Sequence, residues 1–482
     1  MSRRPSSTES PIAGPTLPQP RRLTSAPTTQ RLRKAVDGSS VGANVHAKTR
    51  ALGRLAWIGS AVVMFVLATA RLSWPAMWQD ELATWGMAGV SWDAMPALLN
   101  QADLVLGPYY YVIRAWAEVF GTSDLALRMP SVLAMTAAAA GVAVLGTRLA
   151  NPRVGFTAGL LFAVLPVTSR YAHEARPYAL AICLAVFATL VLVESCSGRQ
   201  RRARVARFAP YALLVALLGL VHAVALSLLV AHLAMVWVLQ RRLVPAWMVA
   251  AAVGAAPGAT LLYLGHRQRS QIAWIELARW DDLLAYPGML FGGLALIGAA
   301  MVALALLGTS ARQPGVLFTA WATLPVLAIF AVAWFTPLWT TRYLLFTVPA
   351  WALLGGLALG RTHLARAVLA VAVIAAIGIP AQVEQRDTDG HSQATRDVAA
   401  IIDRAAQPGD GWCSALANPA RTGSAGISSP TTWRRSDARP TCWCSAHLEA
   451  AMCSRGSVPN PVPAWLGRSA SGWCGSATTR TR

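Results

Sequence analysis

The feature that most constrains this chain is its series of long, charge-free apolar runs. They begin near Leu55 and follow one another to about Ile379, parted by short basic or aromatic segments. A helix needs roughly 20 apolar residues to cross a hydrocarbon core of ~30 Å, and a backbone in lipid must satisfy its own hydrogen bonds. A chain built this way can fold as a bundle of spanning helices and as little else. Composition agrees: 55% of the 482 residues are hydrophobic and 13% are charged, where soluble proteins carry about 25% charged residues. That balance excludes disorder as the main state and argues against a single soluble domain. A net charge of +21 would by itself suggest nucleic acid. A nucleic-acid binder, however, does not carry such apolar runs between its charges, so no nucleic-acid partner is expected.

The runs give about eleven crossings. They fall at 55–70, 130–149, 154–168, 178–193, 208–240, 246–265, 290–307, 315–335, 343–359 and 367–379. The run 208–240 is too long for one span and lies between basic clusters, so it is expected to cross twice, turning near His222. The segment from Tyr109 to Phe120 is too short to span and contains Arg114 and Glu118; it reads as an amphipathic helix lying on the membrane. With that choice, the basic loops at 148–153, 199–207, 241–242, 312 and 361–366 all share the side of the N-terminal tail, as the positive-inside rule requires. The fold class is therefore an all-α, multi-pass protein of the plasma membrane. Its first outer loop is aromatic-rich, its N-terminus cytoplasmic and its C-terminus outside.

Four parts follow in order. Residues 1–50, rich in Ser, Thr, Pro and Arg, read as a disordered cytoplasmic tail. Residues 51–383 form the membrane domain. Residues 384–410 begin an outer soluble region, with a helical stripe of Val398, Ile401 and Ile402. Residues 411–482 show no period and hold five of the seven cysteines. Only Lys34 and Lys48 among the basic residues are lysine, a bias that points to a GC-rich genome. A reading-frame shift near 411–420 would produce such a tail, and so would a loosely folded secreted segment. The cysteines give neither a disulfide framework nor a metal spacing.

Three outer clusters carry candidate chemistry. Asp80 and Glu81 follow the first span directly; the bland alternative is an exposed acidic loop. Arg170, Tyr171, His173, Glu174 and Arg176 crowd the junction of two spans. Snorkelling would explain one such residue better than five, because ionisable groups beside the bilayer core are costly. Arg342 opens a later span and could be a simple anchor. His222 and His232 sit in apolar runs and read as hydrogen-bonded structural histidines.

Together these pieces resemble the polytopic lipid-linked sugar transferases of the GT-C superfamily: the family 39 and Rgt-like group, the protein O-mannosyltransferases and the aminoarabinose transferases, in their actinobacterial form. The matching residues are Asp80-Glu81, Tyr109-Tyr110, Trp116, Phe120-Gly121, the run Leu127 to Ser131, the run Tyr171 to Ala179, and Arg342-Tyr343-Leu344. Leu106-Gly107-Pro108 stands where His-Pro-Pro is common, and His173 where Gln is common. The resemblance implies a membrane glycosyltransferase taking a mannose-like sugar from a polyprenyl-phosphate donor. The acceptor would be a hydroxyl of an envelope glycan, lipid or protein. On that reading Asp80 is the catalytic base with Glu81 beside it. Asp103, His173 and Glu174 support it or bind acceptor, and Arg342, Arg176, Arg170 and Tyr171 hold the donor phosphate. No cofactor or metal site is evident, though the acids could hold a divalent cation. The competing readings are a transporter or lipid-carrier flippase, which would tend to show internal repeats and midplane polar groups, and a non-catalytic relative.

Overall fold

The computed structural model describes residues 56–197, 205–292, 294–391 and 393–405; among them there is no strand. The expectations for the tails 1–50 and 411–482 fall outside the described residues. The chain divides into two compact units, Met1–Ala394 and Thr395–Arg482.

In the first unit, α1 (Ala56–Thr69) is followed by three short helices: α2 (Gln79–Gly89), α3 (Met95–Gln101) and α4 (Gly107–Phe120). Then come α5 (Asp124–Leu149), α6 (Pro152–Val164), α7 (Pro166–Ala172), α8 (Tyr178–Cys196), α9 (Ala209–Val221), α10 (Leu228–Gln240) and α11 (Val244–Gly265). The series closes with α12 (Trp280–Leu290), α13 (Ala295–Thr309), α14 (Arg312–Ala333), α15 (Val348–Leu359) and α16 (Leu364–Glu384). The described part of the second unit is one helix, α17 (Thr395–Ala405).

Every apolar run expected to span carries helix. Six helical stretches are long and apolar enough to cross a membrane, and up to eight if two bent pairs each count as one. Two shorter apolar helices, Ala56–Thr69 and Ala206–Val221, accompany them. The chain is an all-α, multi-pass membrane protein. The run 208–240 breaks at His222 (φ −154°, ψ 88°) into α9 and α10. Extended backbone at Gln240 (φ −161°, ψ 75°) then ends α10 before Arg241 and Arg242.

Local signals set several boundaries. Ser123 caps α5, its Oγ accepting from the Ala126 N–H at 3.3 Å. Asn151 caps α6 by accepting from the Arg153 and Val154 amides at 3.0 and 3.1 Å, with Pro152 at the first helical position. Pro166 forces Leu165 into extended backbone (φ −62°, ψ 132°). The chain therefore bends by 63° between α6 and α7. Thr168 Oγ1 donates to the Phe162 carbonyl, which Pro166 cannot serve, and also to the Leu165 carbonyl, at 2.7 Å each. Small residues let helices meet backbone to backbone. A Cβ on Gly146 would lie 2.9 Å from Gly155 Cα, and one on Gly258 would lie 2.7 Å from Gly219 Cα.

Two cores result. The main one runs through the spanning helices and includes Met135, Phe162, Ile182, Tyr211, Trp321 and Phe346. A smaller one belongs to the α2–α4 segment: Met77, Ala88, Met95, Leu99, Tyr109, Tyr110, Ile113 and Ala117, with Leu127 and Ala175. The amphipathic helix expected at 109–120 is present as α4, and its buried stripe of Tyr109, Tyr110, Ile113 and Ala117 is spent on this small core. Val112, Val119 and Phe120 remain exposed on its other side.

Candidate active site at the start of α2

The Trp78-Gln79-Asp80-Glu81 sequence opens α2, so its two acids stand side by side on one helical turn. Successive helical residues point about 100° apart, and the two carboxylates accordingly face different surroundings. Glu81 turns inward and is fully buried; Asp80 stays partly open.

Asp80 meets two arginines from distant parts of the chain. Arg342 Nη1 donates to Asp80 Oδ2 at 3.0 Å, and Arg176 Nη2 lies 3.5 Å from the same oxygen. Arg176 Nη1 also donates to the Asp80 carbonyl at 3.1 Å. Arg342 sits over the rings of Trp274 and Trp78, 5.1 and 5.8 Å from their centroids. Among the described residues, Nε of both arginines, Trp78 Nε1 and Tyr109 Oη have no hydrogen-bond partner. Two guanidiniums against one carboxylate leave surplus positive charge and unspent donors in a confined place, which is the setting an anionic oxygen ligand needs.

Glu81 is the centre of a second, buried network. Arg128 grips it with two parallel bonds, Nε to Oε1 and Nη2 to Oε2, each 2.8 Å. The Ala175 amide donates to Oε1 at 2.8 Å, and His391 Nδ1 lies 3.2 Å from Oε2. Arg128 also donates from Nη1 to the Leu72 and Pro75 carbonyls at 2.7 and 3.0 Å. Burial works to raise the Glu81 carboxyl, but the Arg128 and His391 bonds and their charges outweigh it and hold it down at about 2, against an ordinary 4.5. A carboxyl held low in the folded protein adds stability that is complete above pH 4.5 and lost as pH falls towards about 2. Thermal unfolding of the purified protein should therefore move to lower temperature between pH 5 and pH 3. Glu81→Gln should flatten that slope; an equally steep slope in the variant would remove Glu81 as its source.

The other expected site residues surround this pair at varying distance. Glu174 accepts from Arg170 Nε at 2.7 Å, and Arg170 Nη1 donates to the Gly390 carbonyl at 3.0 Å. Tyr171 packs edge-on against Tyr178, centroids 5.4 Å apart. His173 is 1% exposed, and neither ring nitrogen has a hydrogen-bond partner among the described residues. Asp103 occupies a left-handed position (φ 57°), a conformation Asp tolerates better than most residues. It accepts from Tyr110 Oη at 2.9 Å. Burial pushes the Tyr110 phenol up, so it remains a donor, and Arg176 stands beside it. Tyr110 and Arg176 thus link Asp103 to Asp80. The loop after α11 holds that corner: Gln268 accepts from the Leu104 amide at 2.9 Å and donates to the Leu99 carbonyl at 2.8 Å.

The two apolar-run histidines differ. His232 is a satisfied core residue, with Thr189 Oγ1 and Tyr211 Oη each 3.0 Å from its ring nitrogens. His222 instead stands at the break between α9 and α10, its ring 5.7 and 5.5 Å from those of Tyr178 and Tyr343. His222 thus lies near Arg176 and Arg342, and its Nδ1 has no hydrogen-bond partner among the described residues, unlike the bonded core histidine expected from its apolar run.

Sequence reasoning assigned no role to Arg128, Arg386 or His391. Arg386, 7% exposed, joins the end of α16 to the end of α1. It donates to the Leu67 and Ala70 carbonyls at 2.6 and 3.1 Å and to Ser169 Oγ at 2.6 Å. Among the described residues no group of three His, Cys, Asp or Glu side chains is placed to hold a metal ion.

No family model matches the chain, and no curated protein matches it. Two solved structures are similar to it, both of ArnT from Cupriavidus metallidurans. The apo state is 19% identical with a TM-score of 0.47, over 68% of this chain and 64% of that one. The state bound to undecaprenyl phosphate is 18% identical with a TM-score of 0.47, over 71% of this chain and 65% of that one. The chain thus spans less than two thirds of the length of either structure.

Proposed function

We propose that this protein is a membrane glycosyltransferase of the GT-C kind. It moves a mannose-like sugar from a polyprenyl-phosphate donor to an acceptor hydroxyl on the outer face of the plasma membrane. The observation that carries this reading is the Asp80 carboxylate held between Arg342 and Arg176 at 3.0 and 3.5 Å. The chemistry needs one acid and surplus cation. As the acceptor oxygen bonds to the anomeric carbon, its proton passes to Asp80, since a hydroxyl attacks poorly unless a base removes its proton during attack. The bond between that carbon and the phosphate oxygen breaks, and its electrons leave with the lipid phosphate. Arg342 and Arg176 neutralise the charge that develops there. Their Nε–H groups, buried and without a partner among the described residues, suit paired bonds to phosphate oxygens. Glu81, saturated by Arg128, Ala175 and His391, shapes the turn that presents Asp80 and does not itself reach a substrate. Tyr110 and Asp103 border the acceptor side.

The test is transfer of sugar from polyprenyl-phosphate-mannose in membranes carrying the full chain, read by mass spectrometry of lipid-linked and envelope glycans. Arg342→Ala should raise the donor KM about tenfold or more, as befits loss of a charged contact of roughly 1.5–3 kcal/mol, and leave the acceptor KM within about twofold. Equal effects on both substrates would make Arg342 an anchor only.

A further inference from the structure

The segment that follows the last apolar helix folds back onto the start of α2 through three bonds and onto α7 through a fourth. The Ala76 amide donates to the Thr388 carbonyl at 2.8 Å. Arg170 donates to the Gly390 carbonyl at 3.0 Å. His391 Nδ1 meets Glu81 Oε2 at 3.2 Å, both side chains being fully buried. Gln393 Oε1 accepts from the Gln79 amide at 2.7 Å.

The last of these supplies what the local sequence lacks. A helix begins with amide groups that have no partner inside it, and Ser, Thr, Asp or Asn usually caps them. Here the capping position is Trp78, which makes no side-chain cap bond. Gln393, 314 residues away, answers the first helical amide instead. The neighbouring residue of that helix is Asp80 and the next is Glu81. The strap therefore touches the turn carrying both acids on two sides: the backbone amide just before Asp80 and the carboxylate just after it.

We propose that the strap formed by residues 386–391 together with Gln393 is a built part of the active site, with His391 and Gln393 acting as positioning residues that fix the α2 start and so aim Asp80. This rests on the transferase reading above. Neither residue needs to touch substrate. Reactive groups displaced by as little as ~1 Å can lose about a hundredfold in rate, so a loosened first turn should be felt in turnover more than in binding.

The experiment uses the full chain in detergent or nanodiscs with polyprenyl-phosphate-mannose as donor. Hydrogen exchange of the peptide covering 76–84 is followed alongside kinetics. Gln393→Ala and His391→Leu should each lower kcat about tenfold or more, change the donor KM by less than about twofold, and speed exchange across 76–84. His391→Asn keeps an N–H donor near the Nδ1 position and should restore most of both readouts; His391→Gln, whose amide reaches the Nε2 position, should not. Gln393→Ala removes a single partly exposed side chain and covers the case in which His391→Leu fails to fold. Wild-type exchange and kcat in Gln393→Ala and His391→Leu would overturn the proposal, as would His391→Asn performing no better than His391→Leu. If the wild-type protein transfers no sugar while the variants still speed exchange in this order, the transferase reading fails and the strap stands.

Discussion

Asp80→Asn should lower sugar transfer about a thousandfold while leaving the protein folded and membrane-inserted. That magnitude is the one general-base catalysis supplies, since a positioned base contributes roughly 10²–10⁴ to rate. Asn keeps the shape and one acceptor oxygen for Arg342, so the helix start and its cap should persist, but an amide cannot take the acceptor proton. The arginines would then face no carboxylate, and undecaprenyl phosphate should bind at least as tightly as before. The informative measurement pairs the two: single-turnover transfer and equilibrium binding of undecaprenyl phosphate on the same preparation. Near-normal turnover would remove Asp80 from the chemistry. A parallel loss of lipid-phosphate binding would show that the carboxylate organises the arginines and does not accept a proton.

Arg128→Met, near the start of α5, should be strongly destabilising. Arg128 and Glu81 are both fully buried and joined by two 2.8 Å bonds, and Arg128 also gathers the Leu72 and Pro75 carbonyls. Removing one partner of a buried pair costs about 3–5 kcal/mol, and here it leaves the Glu81 carboxylate with only the Ala175 amide and His391. The double variant Arg128→Met with Glu81→Leu removes both charges and should recover a large part of that loss. It should remain poorly active, because the turn that aims Asp80 has lost its anchor. Thermal unfolding of the two single variants and the double one closes the cycle. A double variant as unstable as the sum of its parents would mean that the two side chains stabilise the fold independently.

The membrane helices were legible because their signal is local: an apolar run of sufficient length is read without knowing what it packs against. The helix break at His222 falls where charge on both flanks of the run had placed a turn. Asp80, Arg176 and Arg342 stood out as ionisable residues at span ends, where they are costly. Their meeting was not readable, because Asp80 and Arg342 lie 262 residues apart and nothing periodic connects them. The same limit hid Arg128 and His391. In sequence, Arg128 stands in the Leu127–Ser131 run with no partner to indicate its role, and His391 is one polar residue among several after the last apolar run; only the fold brings both to Glu81. Glu81 shows the converse. Adjacent to Asp80 and of the same chemical type, it read as part of one acidic pair, yet helical geometry turns the two carboxylates into unlike environments.

The small core of the α2–α4 segment has an evolutionary consequence. Met77, Met95, Leu99, Tyr109 and Ile113 pack mainly on one another, while the bundle keeps its own core. Substitutions confined to this small core should leave the separate packing of the bundle's main core in place. On the proposed transferase reading, a change of acceptor would then need only the repacking of this one segment, with the membrane body left as it is.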